Sequence, residues 1–99
     1  MDKINIKKPG EILKTYYLDE MNITTDKLAS DIDLPLHYIE DLVNGREAIT
    51  TDVAIRLATY FNNTFNYWSN LQSNYEKLEL QQSGEYNTIL SRIQKQAVG

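Results

Sequence analysis

The sequence predicts an all-α fold, a bundle of five or six short helices. Apolar residues recur at spacings of three and four, which is the period of a helix with one buried face. No stretch keeps the strict apolar and polar alternation of a strand between hairpin turns. Asn, Gly, Asp and Thr separate the apolar segments and mark their ends. The 99 residues are enough for one domain.

The first predicted helix begins at Pro9, because the missing N–H of a proline is not needed in a first turn. The pair Asn22-Ile23 ends it. Its predicted buried face consists of four apolar residues at helical spacing: Ile12, Leu13, Tyr16 and Tyr17.

Two short helices joined by a tight turn follow. Thr24 or Thr25 caps the second helix, and Asp33 breaks it. Pro35 opens the third helix, which Asn44-Gly45 ends. The residues that we expect to face the core are Leu28, Ala29, Ile32, Ile39 and Leu42.

Three further segments complete the bundle. Thr50 or Thr51 caps the fourth helix, and Thr64 caps the fifth. The fourth helix has a buried stripe of five residues: Val53, Ala54, Leu57, Ala58 and Phe61. Ser83-Gly84 interrupts the pattern, and residues 86–94 form a last helix or a frayed tail. We therefore expect a domain over residues 1–79 and a C-terminal extension, helical or frayed, over residues 80–99.

Composition argues against several classes of protein. The apolar runs are two or three residues long, too short for a membrane span or a signal peptide, so the cytoplasm is the expected location. There is no cysteine and a single histidine, His37, which leaves little material for a metal site or a catalytic triad. The expectation is a protein that is not an enzyme and has no cofactor, no metal and no evident small-molecule ligand.

The second and third helices have the spacing of a helix-turn-helix. Ala29 lies inside the second helix, where a small residue lets two helices cross closely, and a turn of three to four residues follows. Ile39 and Leu42 come seven and ten residues after Ile32. This pattern is typical of a motif that projects its second helix into a DNA groove. A generic small helical bundle remains the alternative, because Leu-Ala pairs are common.

Four stretches, in this order, carry a resemblance to a known family: residues 8–13 (KPGEIL), 39–50 (IEDLVNGREAIT), 52–58 (DVAIRLA) and 67–72 (YWSNLQ). The chain resembles the HigA-type (VapI-type) antitoxins of bacterial toxin–antitoxin modules, within the Xre/phage-repressor helix-turn-helix class. The resemblance covers residues 8–76. It implies a lambda-repressor-like DNA-binding domain that binds operator DNA as a homodimer, represses its own operon and neutralises a HigB-type ribonuclease toxin.

The sequence departs from this family in and around the helix-turn-helix. Asp33 occupies the turn position usually held by Gly, and Asp tolerates a left-handed conformation better than most residues. Thr25 replaces the usual Gln, and Phe65 stands where Pro is common. Five residues replace the frequent Arg, Gln or Asn of the groove-facing helix: Leu36, His37, Tyr38, Glu40 and Asp41.

The helix-turn-helix region is acidic. Residues 24–62 carry seven carboxylates and three cations, Lys27, Arg46 and Arg56, and this excess equals the net charge of −4 of the whole chain. Since cations that neutralise phosphates supply sequence-independent DNA affinity, we expect weak non-specific binding and a shallow salt dependence. The alternative is that Glu40 and Asp41 are ordinary solvated helix surface and that DNA binding is weakened or lost.

We predict a DNA-binding surface from the positions that remain outward. An acidic side chain can accept from cytosine N4, Leu36 can contact a thymine methyl group and His37 can donate to guanine. Helix N-termini and the loop after the third helix can hold phosphate. The predicted residues are Thr24, Thr25, Lys27, Pro35, Leu36, His37, Tyr38, Glu40, Asp41, Asn44 and Arg46.

An aromatic stripe at helical spacing follows residue 64. Its members, Tyr67, Trp68, Leu71 and Tyr75, are either core residues or part of a dimer interface. Two other functions stay open beside the antitoxin: a stand-alone Xre-type transcriptional regulator, and a protein-interaction module on a helix-turn-helix scaffold that no longer reads DNA. A toxin gene next to this one would distinguish the antitoxin from a stand-alone regulator. Operator binding would distinguish both of these from the protein-interaction module.

Overall fold

The computed structural model describes residues 6–97, and this range holds seven α-helices, one π-helical stretch and no strand. The predicted all-α class is therefore confirmed. The helical segments are α1 (Pro9–Leu13), the π-helical stretch (Lys14–Leu18), α2 (Asp19–Met21), α3 (Thr25–Ile32), α4 (Leu36–Val43), α5 (Thr51–Phe61), α6 (Phe65–Ser83) and α7 (Glu85–Ser91).

Threonine side chains start three of these helices. Thr24, Thr50 and Thr64 each accept a hydrogen bond from the backbone N–H three residues on, at 3.1, 3.3 and 3.1 Å. Each bond satisfies one of the N–H groups that a helix leaves unpaired at its start. Where two capping residues were open in the sequence, the structure therefore selects Thr24 over Thr25 and Thr50 over Thr51.

The first helical region is not one continuous α-helix. Its central stretch, Lys14–Leu18, is π-helical, so residues five apart lie on the same side. Leu13 and Leu18 are both buried as a result, and Lys14 Nζ lies 3.0 Å from the carboxylate of Asp19. The prediction that Tyr16 belongs to the buried face is wrong: its side chain is 56% exposed, because the wider turn rotates it outward.

The core lies where α1, α3, α4, α5 and α6 meet. Helix α1 packs on α4 and α6, α3 packs on α4 and α5, and α5 packs on α6. The buried apolar residues are Leu13, Leu18, Leu28, Ala29, Ile32, Ile39, Leu42, Val43, Ile49, Val53, Ala54, Leu57, Ala58 and Trp68. All the residues predicted to face inward from the second, third and fourth helices are among them, except Phe61, which is half-buried.

Helices α6 and α7 continue beyond this core. Gly84 adopts a left-handed backbone (φ +86°) and ends α6 where the sequence pattern breaks. Helix α7 packs on α6 but buries none of its own residues. The principal dimensions of 53 × 37 × 21 Å reflect this extended arm. The division of the chain at residues 79/80 stays a prediction. None of the described helices combines the length and the apolar character needed to cross a lipid bilayer.

Candidate nucleic-acid interface

Helices α3 and α4 form the predicted helix-turn-helix, and the turn between them depends on Asp33. This residue has a left-handed backbone (φ 59°) and ends α3 in the position that the sequence predicted. The N–H of Leu34 returns to the carbonyl oxygen of Ala29 at 3.0 Å, which closes the helix end. The turn is short enough to keep α3 and α4 in contact.

Arg56 on α5 holds this turn from the other side. Its guanidinium Nη1 donates to the carbonyl oxygens of Ile32 at 2.7 Å and Asp33 at 3.1 Å. Its Nε donates to the carboxylate of Asp52 at 2.6 Å. A cation at the last carbonyls of a helix is favourable because the helix dipole places negative charge there. Sequence reasoning counted Arg56 as one of three cations and missed this role.

The opening of α1 fixes the other end of α4. A Cβ atom on Gly10 would lie 1.6 Å from the backbone oxygen of Leu42, so only glycine permits this approach of the two helices. Lys8 Nζ donates to the carbonyl oxygen of Gly45 at 3.2 Å, beside a loop whose Gly45 has φ +78°. The stretch of residues 8–13 (KPGEIL) therefore positions the end of α4 and the loop that follows it.

The outward face of α4 is the one predicted from its spacing. Ile39 and Leu42 are fully buried. The predicted outward residues are exposed in the case of Leu36, His37 and Glu40, and half-buried in the case of Asp41. Pro35, which precedes the helix, is also exposed.

Two backbone N–H groups at the start of α4 have no acceptor among the described residues. The residue before the helix, Pro35, supplies no side-chain cap, and its carbonyl oxygen accepts only from Tyr38 and Ile39. The N–H groups of Leu36 and His37 are therefore open, at the positive end of the helix dipole, where an anion is favoured. At the start of α3, the Thr24 hydroxyl already accepts a hydrogen bond from the backbone N–H of Lys27, and Thr25 is half-buried.

Tyr38 lies at the edge of this face and supports the loop after α4. Its hydroxyl donates to the carbonyl oxygen of Ala48 at 3.3 Å. Burial, with the nearby charge of Glu47, raises the pKa of Tyr38. The exposed residues of this loop include Asn44, which ends α4, and Arg46, whose N–H donates to the carbonyl oxygen of Asp41 at 2.8 Å.

All three cations of residues 24–62 contact a carboxylate of the same segment. Lys27 Nζ lies 2.9 Å from Asp31, and Arg56 pairs with Asp52. Arg46 Nη1 lies 3.6 Å from the carboxylate of Asp41. The Tyr60 hydroxyl and Lys27 hold the pKa of Asp31 below its usual value. The segment therefore has few cations for DNA phosphates, and those few are already paired with carboxylates of the protein.

The aromatic stripe of α6 divides between core and surface. Trp68 has 0% exposure, and its indole N–H donates to Asn63 Oδ1 at 2.6 Å, so its side chain offers no surface to a second copy. Tyr67 is 38% exposed, whereas Leu71 and Tyr75 are half-buried. Burial, together with a hydrogen bond to Tyr17, raises the pKa of Tyr67 to about 12.

Known proteins share both the sequence pattern and this arrangement of helices. Virulence-associated protein I of Dichelobacter nodosus is 34% identical over 83 residues, which are 83% of this chain and 77% of that protein. The structure of Pseudomonas aeruginosa antitoxin HigA with the higBA promoter is 31% identical, with 94% of this chain and 100% of that chain covered and a TM-score of 0.80. The chain belongs to the HigA family. No protein-family model matches it.

A second solved structure has the same fold. PA4674 of Pseudomonas aeruginosa in complex with its operator DNA is 30% identical, with a TM-score of 0.83 over 95% of this chain and 100% of that chain. Of these relatives, HigA is named an antitoxin, and both HigA and PA4674 were solved with DNA. In this HigA-family chain, two of the motifs that carried the resemblance now have structural roles: Gly10 packs on α4, and Arg56 holds the turn before it.

Proposed function

We propose that the chain is the antitoxin of a type II toxin–antitoxin module, which binds its own operator as a homodimer and neutralises a HigB-type ribonuclease toxin in the cytoplasm. The observation that carries this proposal is the match over the full length of an antitoxin HigA solved with its promoter. The outward face and open N–H groups of α4 support it independently.

The geometry indicates how α4 would contact DNA. The open N–H groups of Leu36 and His37 bind a phosphate and fix the register of the helix. The Leu36 side chain then reaches a thymine methyl group, and His37 donates to a guanine acceptor in the major groove. Glu40 and Asp41 are the acceptors available for cytosine N4. Seven further residues flank this face and contact the DNA backbone or shape the surface that meets it: Lys27, Tyr38, Thr24, Thr25, Pro35, Asn44 and Arg46.

Dimerisation follows from the size of this surface. One helix-turn-helix reads a half-site, and two half-sites lie about 34 Å apart on one face of DNA. We propose that the arm of α6 and α7 forms the interface, because its apolar side chains are exposed in the single chain. These residues are Leu78 on α6 at 44% exposure, Ile89 and Leu90 on α7 at 47% and 52%, and Ile93 just after α7 at 58%.

Sedimentation of wild type and Leu90→Glu tests the dimer. Wild type at 10 µM should sediment at twice the monomer mass, and the variant as a monomer with unchanged helix content, because a charge at a dimer contact must be buried. Tyr67→Glu tests the interface that the sequence predicted. A dimer that tolerates Leu90→Glu but not Tyr67→Glu would place the interface on the aromatic stripe instead.

Binding titrations on the chain's own promoter test the DNA function. A fluorescent promoter fragment and a scrambled fragment of equal length are titrated at 50 and 200 mM salt. The expected result is preference for the promoter, together with weak binding to the scrambled fragment. Absence of binding to both at 50 mM, with the dimer intact, would favour the interaction module, a function for which the engaged cations of residues 24–62 already argue.

Growth assays test the antitoxin function. The product of the gene next to this one is expressed alone and together with the chain. Growth arrest that the chain relieves supports toxin neutralisation. A chain that binds its promoter but has no toxic neighbour would be a stand-alone regulator.

A further inference from the structure

Arg46 differs from the other two cations of residues 24–62 in how firmly the protein holds it. Arg56 donates to two carbonyl oxygens as well as to a carboxylate. Lys27 contacts Asp31, which the Tyr60 hydroxyl also binds at 2.7 Å. Among the residues that the structure describes, Arg46 pairs through its side chain with Asp41 alone, at 3.6 Å, which is longer than a good hydrogen bond. Arg46 is therefore the cation that leaves its partner most easily.

The backbone places Arg46 beside the face of α4 that is proposed to contact DNA. It lies in the loop directly after α4, and its side chain is 65% exposed. Three hydrogen bonds hold the loop around Gly45 and Arg46: the N–H of Arg46 donates to the carbonyl oxygen of Asp41, the N–H of Gly45 to that of Leu42, and Lys8 to that of Gly45. Since the backbone is fixed, only the side chain of Arg46 has to move between two acceptors.

We propose that Asp41 competes with the DNA backbone for Arg46, so that the Asp41 carboxylate sets the strength and the salt dependence of DNA binding. The inference rests on the proposed DNA-binding function. In the free protein Arg46 contacts Asp41, and on DNA the same guanidinium must exchange that carboxylate for a phosphate. Asp41 is then a residue that tunes affinity through Arg46, whether or not it also touches a base.

The size of the effect follows from the exposure of the pair. Exposed ion pairs correspond to about a 1.4- to 5-fold change in an equilibrium constant. Removing the carboxylate should therefore strengthen binding up to about fivefold through Arg46. Because wild-type Arg46 already reaches the phosphate against this competition, its release steepens the log–log salt slope by at most about 0.9, which is at most about 3.5-fold more loss of affinity between 50 and 200 mM salt.

A double-mutant cycle isolates this exchange from simple charge repulsion. The variants are Asp41→Asn, Arg46→Ala and the pair together, titrated on promoter and scrambled fragments at both salt concentrations. Asn keeps the shape of Asp and leaves the backbone carbonyl that accepts the N–H of Arg46. Glu40→Gln is the matched control, because Glu40 is on the same helix, is exposed and forms no ion pair with any residue between 6 and 97. On the scrambled fragment, where no base is read specifically, it reports repulsion alone.

The expected result is that Asp41→Asn strengthens binding to both fragments more than Glu40→Gln does, and steepens the salt slope. In the Arg46→Ala background the extra gain and the steeper slope should vanish. Equal effects of Asp41→Asn in both backgrounds would overturn the proposal and leave Asp41 as a repelling charge. Unchanged binding of Asp41→Asn to the scrambled fragment would also overturn it, because release of Arg46 must strengthen binding to any sequence; weaker promoter binding beside that result would show that Asp41 acts only by reading a base. If no variant binds either fragment, the DNA-binding function itself fails.

Discussion

Gly10→Ala is the substitution for which the structure and local helix propensity predict opposite signs. Gly10 lies in the first turn of α1, and replacing a helical glycine by alanine usually stabilises a protein by about 0.5–1 kcal/mol. Here the new methyl group would lie 1.6 Å from the backbone oxygen of Leu42. Ordinary van der Waals contact begins near 3.5 Å, so α1 and α4 must separate by roughly 2 Å.

The magnitude follows from what that separation disturbs. The clash is with backbone rather than with the end of a flexible side chain, so no rotamer change relieves it. Overpacking of a tight contact costs about 1–3 kcal/mol, and this exceeds the propensity gain. We expect a net loss of about 1–2 kcal/mol in the free energy of unfolding, which corresponds to roughly 4–16 °C in Tm for a domain of this size.

Thermal unfolding followed by circular dichroism measures this change. Gly84→Ala is the control, because a Cβ there meets nothing within 4 Å and the only penalty is the left-handed backbone. That variant should lose about 1–2 kcal/mol through its backbone conformation alone, because Gly84 lies between α6 and α7, away from the contact of α1 with α4. Gly10→Ala should weaken promoter binding as well, because it displaces α4. A Tm for Gly10→Ala at or above that of wild type would refute the packing argument.

Two further predictions concern the aromatic stripe of α6. Trp68→Ala should cost about 3–5 kcal/mol in urea unfolding, because the side chain is fully buried and hydrogen-bonded to Asn63; a loss below about 1 kcal/mol would place the indole on a surface. The pKa of Tyr67 is raised to about 12 from 10.0, so the stability that its neutral hydroxyl contributes should be complete below pH 10 and disappear as the pH rises to 12. Tm measured from pH 9 to 12 should therefore fall more steeply for wild type than for Tyr67→Phe, and parallel curves would contradict the shift.

The elements whose signals are local could be predicted from the sequence. Threonine caps and the left-handed backbone of Asp33 involve only residues a few positions apart, so the sequence predicted these helix ends. The outward face of α4 followed from the helical period once Ile39 and Leu42 were placed in the core. These features need no knowledge of what packs against them.

The rest depends on contacts that the sequence does not encode locally. Arg56 reaches the carbonyl of Ile32, which is 24 positions away, and no spacing rule predicts that bond. The π-helical stretch changes which residues share a face, so the ordinary helical period misplaced Tyr16. The division of the aromatic stripe into buried Trp68 and exposed Tyr67 likewise depends on how α6 lies against α5.

Because Lys27, Arg46 and Arg56 are paired with carboxylates, the protein should spend less time on non-specific DNA while it searches a genome for its operator. A chromosome offers about 10⁶–10⁹ competing non-specific sites, and each holds a basic protein for some of the time. A reader whose cations are already engaged is sequestered less by those sites, so more of it stays unbound. Such a protein needs fewer copies per cell, or a smaller specific affinity, to occupy one operator. The acidic helix-turn-helix thus gains in free concentration what it loses in attraction to the phosphate backbone.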